Sequence, residues 1–155
     1  MRQIAFTAVL LSGLGTTPAL AVLPEEEARR LYAEFVSAQN AHDLERVRGL
    51  FAAGPGFLWV TNGLPIWGRD AAVARLARFH ANEVWRIEAA EERARAVAVA
   101  PGASFLHIPL TLIIGTAAEP RRYHILVAAL CAETPEGWRI AALFTTDENR
   151  EEAPR

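Results

Sequence analysis

The segment 37–70 constrains the fold of this chain more than any other stretch of its sequence. One amphipathic helix ends in it at Asn40, and a second begins at Asp43, whose carboxylate suits a helix N-cap. A short aromatic strand, Phe57 to Val60, follows, and Gly68 then introduces a third helix. This order of elements predicts the fold class, but it does not identify a reaction or a ligand.

Each predicted helix has one apolar face. Pro24 suits the first position of a helix, and the three glutamates after it complement the helix dipole. The residues of this face follow helical spacing. In the first helix they are Ala28, Leu31, Tyr32, Phe35, Val36 and Gln39, in the second Leu44, Val47, Leu50 and Phe51, and in the third Val73, Leu76, Ala77 and His80.

The remainder of the chain predicts an antiparallel meander. Its strands are expected at Val84–Glu88, Arg93–Val99, Ser104–Thr116, Arg121–Thr134 and Trp138–Thr146. Pro109 cannot donate a ladder hydrogen bond, so we expect a bulge or a sheet edge there. The predicted fold class is therefore α+β, with three N-terminal helices packed on a strongly curved antiparallel sheet.

The long strand after Ser104 is apolar on both faces. The alternate positions Leu106 to Ile114 should meet the helices, whereas Phe105, His107 and their neighbours face the other way. A sheet that is apolar on both faces needs a second cover. A second copy of the chain is the expected cover, giving a homodimer through the sheet face, and the alternative is a cover made by the chain's own loops.

The first 21 residues predict a secretory signal peptide. A short basic start precedes an apolar stretch, and Ala19-Leu20-Ala21 has the form that signal peptidase cleaves. We therefore expect a signal peptide at 1–21, a single domain at 22–155, and a periplasmic or secreted protein without a stable membrane anchor.

Charge and cysteine content exclude two further possibilities. The formal net charge is −2 and the sequence has no basic stripe, which argues against nucleic acid as a partner. Cys131 is the single cysteine, so an internal disulfide is excluded, and its alternation with apolar residues predicts burial.

These elements resemble the nuclear transport factor 2-like superfamily, also called the SnoaL-like or cystatin-like α+β cone. The resemblance is carried by the stretch from Phe35 to Leu44, the strand 57–60, the Gly68-Arg69-Asp70 helix start, and the ending 135–140, which reads Pro-Glu-Gly-Trp-Arg-Ile. Within the superfamily the chain looks most like exported bacterial members of uncharacterised subfamilies. The resemblance implies a conical pocket between helices and sheet, and commonly a dimer through the sheet. It implies no single activity, because this fold hosts isomerases, cyclases, dehydratases and binding domains.

The best-understood enzymes of the superfamily, the ketosteroid isomerases, use a carboxylate base with a tyrosine and a protonated aspartate. Aligned on His42-Asp43-Leu44, the tyrosine position of that family falls on Phe35, and the base falls at or near Trp59. Neither residue can perform the corresponding role. The isomerase mechanism is therefore not carried over, and we assign no catalytic residues.

The function expected from the sequence is the binding of a small apolar ligand in the cone pocket. The candidate ligand-binding residues are Tyr32, Trp59, Trp67, His80 and His107. Indole rings make good walls for apolar ligands, and a buried tyrosine presents a polar tip in an apolar setting. Two alternatives stay open: a small isomerase, cyclase or dehydratase with His80 or His107 as base, and a structural dimerisation module.

No cofactor is expected from the sequence, and no metal. His107 and His124 are the histidines of the predicted long strands, and a hairpin turn near Ala118 would pair His124 close to Ile113. That register separates the two rings by roughly 20 Å at the rise of a strand. Zinc ligands lie about 2 Å from the metal, so one zinc ion could not bind both histidines.

Overall fold

The structure is a computed structural model that describes residues 23–149. Its elements, in chain order, are α1 (Pro24–Asn40), α2 (Leu44–Leu50), β1 (Leu58–Thr61), β2 (Leu64–Trp67), α3 (Arg69–His80), β3 (Val84–Ala89), a 3-10 turn (Glu91–Arg93), β4 (Arg95–Ala100), β5 (Ala103–Gly115), β6 (Pro120–Thr134) and β7 (Gly137–Asp147). The predicted signal peptide lies outside the described residues. No helix among residues 23–149 is long and apolar enough to cross a membrane.

The helix boundaries follow from local chemistry. Pro24 occupies the start of α1, with glutamates in the first turn. At α2, the Asp43 carboxylate accepts a hydrogen bond from the backbone N–H of Arg46 at 3.0 Å, which confirms the predicted N-cap. Asn62 and Gly63 have φ values of 49° and 71°, and these left-handed conformations close a two-residue hairpin. The hairpin joins β1 to β2, a strand that the sequence analysis did not predict.

The fold is α+β as predicted, but two parts of the predicted architecture are corrected. The sheet is mixed rather than antiparallel, because β1 runs parallel to β7 in the strand order β2-β1-β7-β6-β5-β3. The helices are not all N-terminal, because α3 follows the β1–β2 hairpin. The first correction concerns the docking of an early hairpin onto the last strand, and short-range patterns carry no information about that pairing. The second concerns only the chain order, because the predicted strand 57–60 already precedes the third helix in the sequence.

Pro109 marks a change of partner strand rather than a bulge. The β5–β6 register continues without a shift across it, with Pro109 opposite Leu126. On the other side of β5, β4 pairs up to His107 and β3 pairs from Leu110. A proline without an N–H therefore sits where one strand partner ends and the next begins. The register shift of the β6–β7 pair lies further along, at Leu130/Cys131.

The helices cover one face of the sheet, and the core lies between them. Phe51 and Phe57 are fully buried, with ring centroids 4.3 Å apart. From β5, Leu106, Ile108 and Leu110 are buried on the same side, which confirms the predicted parity of that strand. Further along β5 the inward-facing side chains are only partly buried, because a cavity opens between helices and sheet.

Candidate functional site

A cavity of about 500 Å³ lies between the helices and the concave face of the sheet. Its volume falls in the range of small-molecule sites, which is roughly 300–1,000 Å³. Most of the wall is aliphatic or aromatic. The apolar lining residues are Phe35, Phe51, Trp59, Leu76, Phe79, Trp85, Ile87, Leu110, Leu112, Ile114, Ile125, Val127 and Leu143, together with the ring of Tyr32.

The mouth of the cavity lies where the sheet opens. Asn62 in the β1–β2 turn, Tyr123 near the start of β6 and Asp147 at the end of β7 all line it and are exposed. Asp147 is the one charged side chain among the lining residues that the structure describes. The charged group thus lies at the rim, while the rest of the lining, beyond these three residues, is apolar apart from Gln39, Thr61, Thr145 and the Tyr32 hydroxyl.

Trp59 forms part of the wall and is held from two sides. Its indole Nε1 donates to Thr145 Oγ1 across the parallel β1–β7 pair at 3.4 Å. The guanidinium carbon of Arg75 lies 5.9 Å from the Trp59 ring centroid and 5.3 Å from that of Phe79. Cation–π contacts of this kind stabilise an aromatic wall by about 0.5–1 kcal/mol.

Tyr32 lies deep in the same cavity. It is 2% exposed, and its ring centroid is 5.6 Å from that of Phe35. Burial, with a smaller contribution from Cys131, raises the pKa of the Tyr32 phenol well above its usual value. The hydroxyl therefore stays protonated across the physiological range, as a hydrogen-bond donor rather than a base.

His80 stands behind the cavity wall, paired with a residue that does line the cavity. Its Nε2 lies 2.7 Å from Oε1 of Gln39. Its ring centroid is 5.0 Å from that of Trp85 and 4.9 Å from that of His42. Burial, and then the neighbouring His42, lower the pKa of His80 below its usual value, so the neutral ring is favoured.

Two of the five candidate residues, Tyr32 and Trp59, line the cavity directly. A third, His80, contacts the lining residue Gln39. Trp67 and His107 lie elsewhere. Trp67 pairs with Leu58 on the convex face of the sheet and is 61% exposed. His107 pairs with Arg95 and Ala128 on that same convex face. Neither side chain shares the cavity with the other three.

The sequence held a signal for the placement of Trp67, but not for the pairing of Gln39 with His80. A two-residue hairpin places Ile66 opposite Trp59, so the next residue, Trp67, must face the other way. Gln39 is a polar residue on the otherwise apolar stripe of α1, and sequence reasoning gave it no role. Its pairing with His80, 41 positions away, has no sequence signature.

The histidines of the long strands do not form a cluster. His124 pairs with Thr111, two residues from the predicted register, and its Nδ1 lies 3.2 Å from Thr111 Oγ1. Four strand positions separate Thr111 from His107, which is about 13 Å at strand rise. Within the described residues no three histidine, cysteine or carboxylate side chains come together as a metal site. Cys131 is buried as predicted, and burial raises the pKa of its thiol to about 12.

Comparison of this architecture with solved structures gives many similar folds. An uncharacterised protein with a cystatin-like fold from Caulobacter vibrioides is 23% identical, with a TM-score of 0.69 over 82% of this chain and 91% of that one. An NTF2-like family protein from Streptomyces avermitilis, provisionally called a dehydratase, is 14% identical, with a TM-score of 0.70 over 81% and 96%. An NTF2-like superfamily protein from Salmonella enterica is 12% identical, with a TM-score of 0.69 over 81% and 92%.

The protein therefore has the NTF2-like, cystatin-like fold that its sequence elements suggested. No protein-family model matches the chain, and no curated protein matches it. At these identities the likeness concerns the fold alone, and the fold hosts unrelated functions. Any functional conclusion must rest on the cavity and the surface of this chain.

Proposed function

We propose that this protein binds a small, largely apolar ligand in the cavity between its helices and its sheet. The observation that carries the proposal is the cavity itself, with its volume of about 500 Å³, its apolar interior and its mouth at the open end of the sheet. Burial of apolar ligand surface contributes roughly 25 cal/mol per Å², so the hydrophobic effect alone could hold a ligand of about ten carbons.

A matched pair of variants on β5 tests this proposal. Leu112 lines the cavity, whereas Ile113, the next residue, faces the convex side. Leu112→Trp should fill the cavity, and Ile113→Trp should leave it open. Binding of 2-ethylnaphthalene, measured by equilibrium dialysis, should be lost in the first variant and retained in the second. If the unaltered protein does not bind this probe, or if both variants bind it equally, the cavity is not the binding site.

We also propose that the convex face of the sheet forms a homodimer. Cross-strand partners share a face, and this face presents apolar side chains that are substantially exposed. They are Phe105, Phe144, Val97 and Trp67. Soluble monomers rarely expose a contiguous apolar patch of this kind. His107 lies on the same face and would be covered by the partner.

Analytical ultracentrifugation separates this dimer from the alternative of a monomer. Phe144→Glu places a charge at the centre of the proposed interface and should shift the protein to a monomer. Leu64→Glu is the control, because Leu64 is also exposed but its partner in the β1–β2 hairpin, Thr61, lines the cavity. A protein that sediments as a monomer before any substitution would refute the proposal.

The enzyme alternative is weakened at one of its two candidate bases. His107 lies on the convex face, away from the cavity, so it could act on a bound ligand only if the cavity were not the site. The lowered pKa of His80 favours its neutral ring, and its Nε2 contacts the lining residue Gln39, so His80 is the candidate base that remains compatible with a reaction there. Turnover of a bound ligand that is lost in His80→Phe would favour this alternative over binding alone.

Export to the periplasm or the medium is proposed from residues 1–21 alone. The basic start, the apolar stretch and the Ala19-Leu20-Ala21 site support it. N-terminal sequencing of protein from the native host should give Val22 as the first residue. An intact Met1 would show that the segment is not cleaved. Native mass spectrometry of the same sample would also reveal a retained small molecule and a dimer.

A further inference from the structure

We propose that the natural ligand of this cavity carries a neutral carbonyl group, whose oxygen accepts a hydrogen bond from the side-chain amide of Gln39. This inference rests on the proposed ligand-binding function and adds the chemical class of the ligand. A single amide with a fixed orientation, set in an apolar wall, would select ketones, aldehydes, esters or amides over hydrocarbons of the same shape.

Gln39 is a buried polar side chain with unused hydrogen-bonding capacity. It is 2% exposed and lines the cavity near the end of α1. Its Oε1 is engaged by His80, whereas its Nε2 has no hydrogen-bond partner within residues 23–149. A ligand oxygen that accepts from this nitrogen would therefore add one hydrogen bond, worth about 0.5–1.5 kcal/mol net.

The orientation of the Gln39 amide follows from the state of His80. The other ring nitrogen, Nδ1, is buried and has no hydrogen-bond partner in the described part of the chain. A buried N–H without an acceptor is more costly than a bare ring nitrogen, so the proton of the neutral ring belongs on Nε2. His80 Nε2–H then donates to Gln39 Oε1, and the amide –NH₂ is left for the cavity. Protonation of His80 would keep the same orientation.

The rest of the wall favours a neutral acceptor over an anion. Trp85 also lines the cavity, and its buried indole Nε1 has no partner among residues 23–149, so it is a second unused donor beside His80. No lysine or arginine is among the described residues that line the cavity. A carboxylate would lose its hydration there without gaining a counter-charge, and the Asp147 carboxylate at the mouth would repel it. A carbonyl oxygen avoids both penalties.

The test compares two probes that share one skeleton. In 2-acetylnaphthalene a carbonyl replaces one methylene of 2-ethylnaphthalene. Equilibrium dialysis gives a Kd for each, and the measured quantity is the ratio of the ethyl Kd to the acetyl Kd. In Gln39→Leu this ratio should fall about fivefold relative to the unaltered protein, the equivalent of one net hydrogen bond of about 1 kcal/mol.

Gln39→Met guards against an effect of the smaller leucine side chain. Methionine has about the length of glutamine but presents a thioether and no N–H to the cavity. The ratio should fall about as far as in Gln39→Leu. Circular dichroism confirms that each variant is folded before binding is measured.

Two further variants identify the donor. Tyr32→Phe removes the phenol, a competing donor in the same cavity, and Thr61→Val removes the hydroxyl of another lining residue, both with little change of shape. If Gln39 is the donor, neither variant lowers the ratio as far as the Gln39 variants do. A ratio that collapses in either of these two and persists in the Gln39 variants would overturn the assignment to Gln39. A ratio unaffected by all four substitutions would overturn the carbonyl class while leaving apolar binding intact. If neither probe binds the unaltered protein, the proposed binding function itself fails.

Discussion

Asn40 closes α1 with a side-chain bridge to the sheet, and removing that bridge should measurably destabilise the protein. Its Nδ2 donates to the Ile87 carbonyl at 2.9 Å, and its Oδ1 accepts from the Ile87 N–H at 2.7 Å. Both bonds go to one residue of β3, so the amide pairs with the backbone as another strand would. The bridge joins the helix that carries Gln39 to the strand that carries Trp85, two walls of the cavity.

The expected magnitude follows from these two bonds. A neutral hydrogen bond contributes about 0.5–1.5 kcal/mol net, so both together contribute about 2 kcal/mol. Asn40 is exposed, so water can partly replace the lost partners, and Asn40→Ala should lower the free energy of unfolding by about 1.5 kcal/mol. With a urea slope of about 1.5 kcal/mol per molar, the unfolding midpoint should fall by about 1 M. Urea titration followed by circular dichroism measures this shift.

Asn82 offers a matched control for this substitution. Its Nδ2 makes one bond of 2.7 Å to the Phe79 carbonyl, three residues away and within the same turn. Asn82→Ala should therefore cost less than about 0.5 kcal/mol. Amide hydrogen exchange gives a second readout, because the Ile87 N–H should lose protection in Asn40→Ala alone. Equal midpoint shifts in the two variants, or an unchanged Ile87 exchange rate, would refute the proposed role of the bridge.

Three further outcomes are expected. Burial and His42 lower the pKa of His80, so the unfolded chain takes up a proton at this residue more readily than the folded protein does. The free energy of unfolding should therefore fall as the pH drops below about 6.5. Urea titrations between about pH 7.5 and 5 should show a weaker fall in His80→Phe. The buried Cys131 thiol, its pKa raised to about 12, should stay unreactive towards Ellman's reagent at pH 8 until urea unfolds the protein, and rapid labelling of the native state would contradict its burial. Arg75→Gln should shift the fluorescence of Trp59 and cost about 0.5–1 kcal/mol, and an unchanged emission spectrum would show that the cation–π contact is absent in solution.

The long-range arrangement that creates the cavity could not be predicted from short-range patterns. The sequence did indicate which face of β5 would meet the helices, because alternation along a strand is a local property. It did not indicate that β1 would dock parallel to β7, and this pairing places Trp59 beside Thr145 in the cavity wall. Loop closure over such a distance is decided by the packing of the whole domain rather than by any motif.

Local sequence is enough to specify the elements whose causes lie within a few residues. Asp43 caps α2 because its carboxylate reaches an N–H three residues ahead, and Asn62-Gly63 closes a hairpin because both residues accept left-handed backbone. The chemistry of the cavity depends instead on the packing of the whole domain. Gln39 and His80 are 41 positions apart, and their pairing depends on how α1 and α3 pack together on the sheet. A polar residue on an apolar stripe shows that a partner is needed, but only the packed domain determines which partner it finds and which of its atoms is left for a ligand.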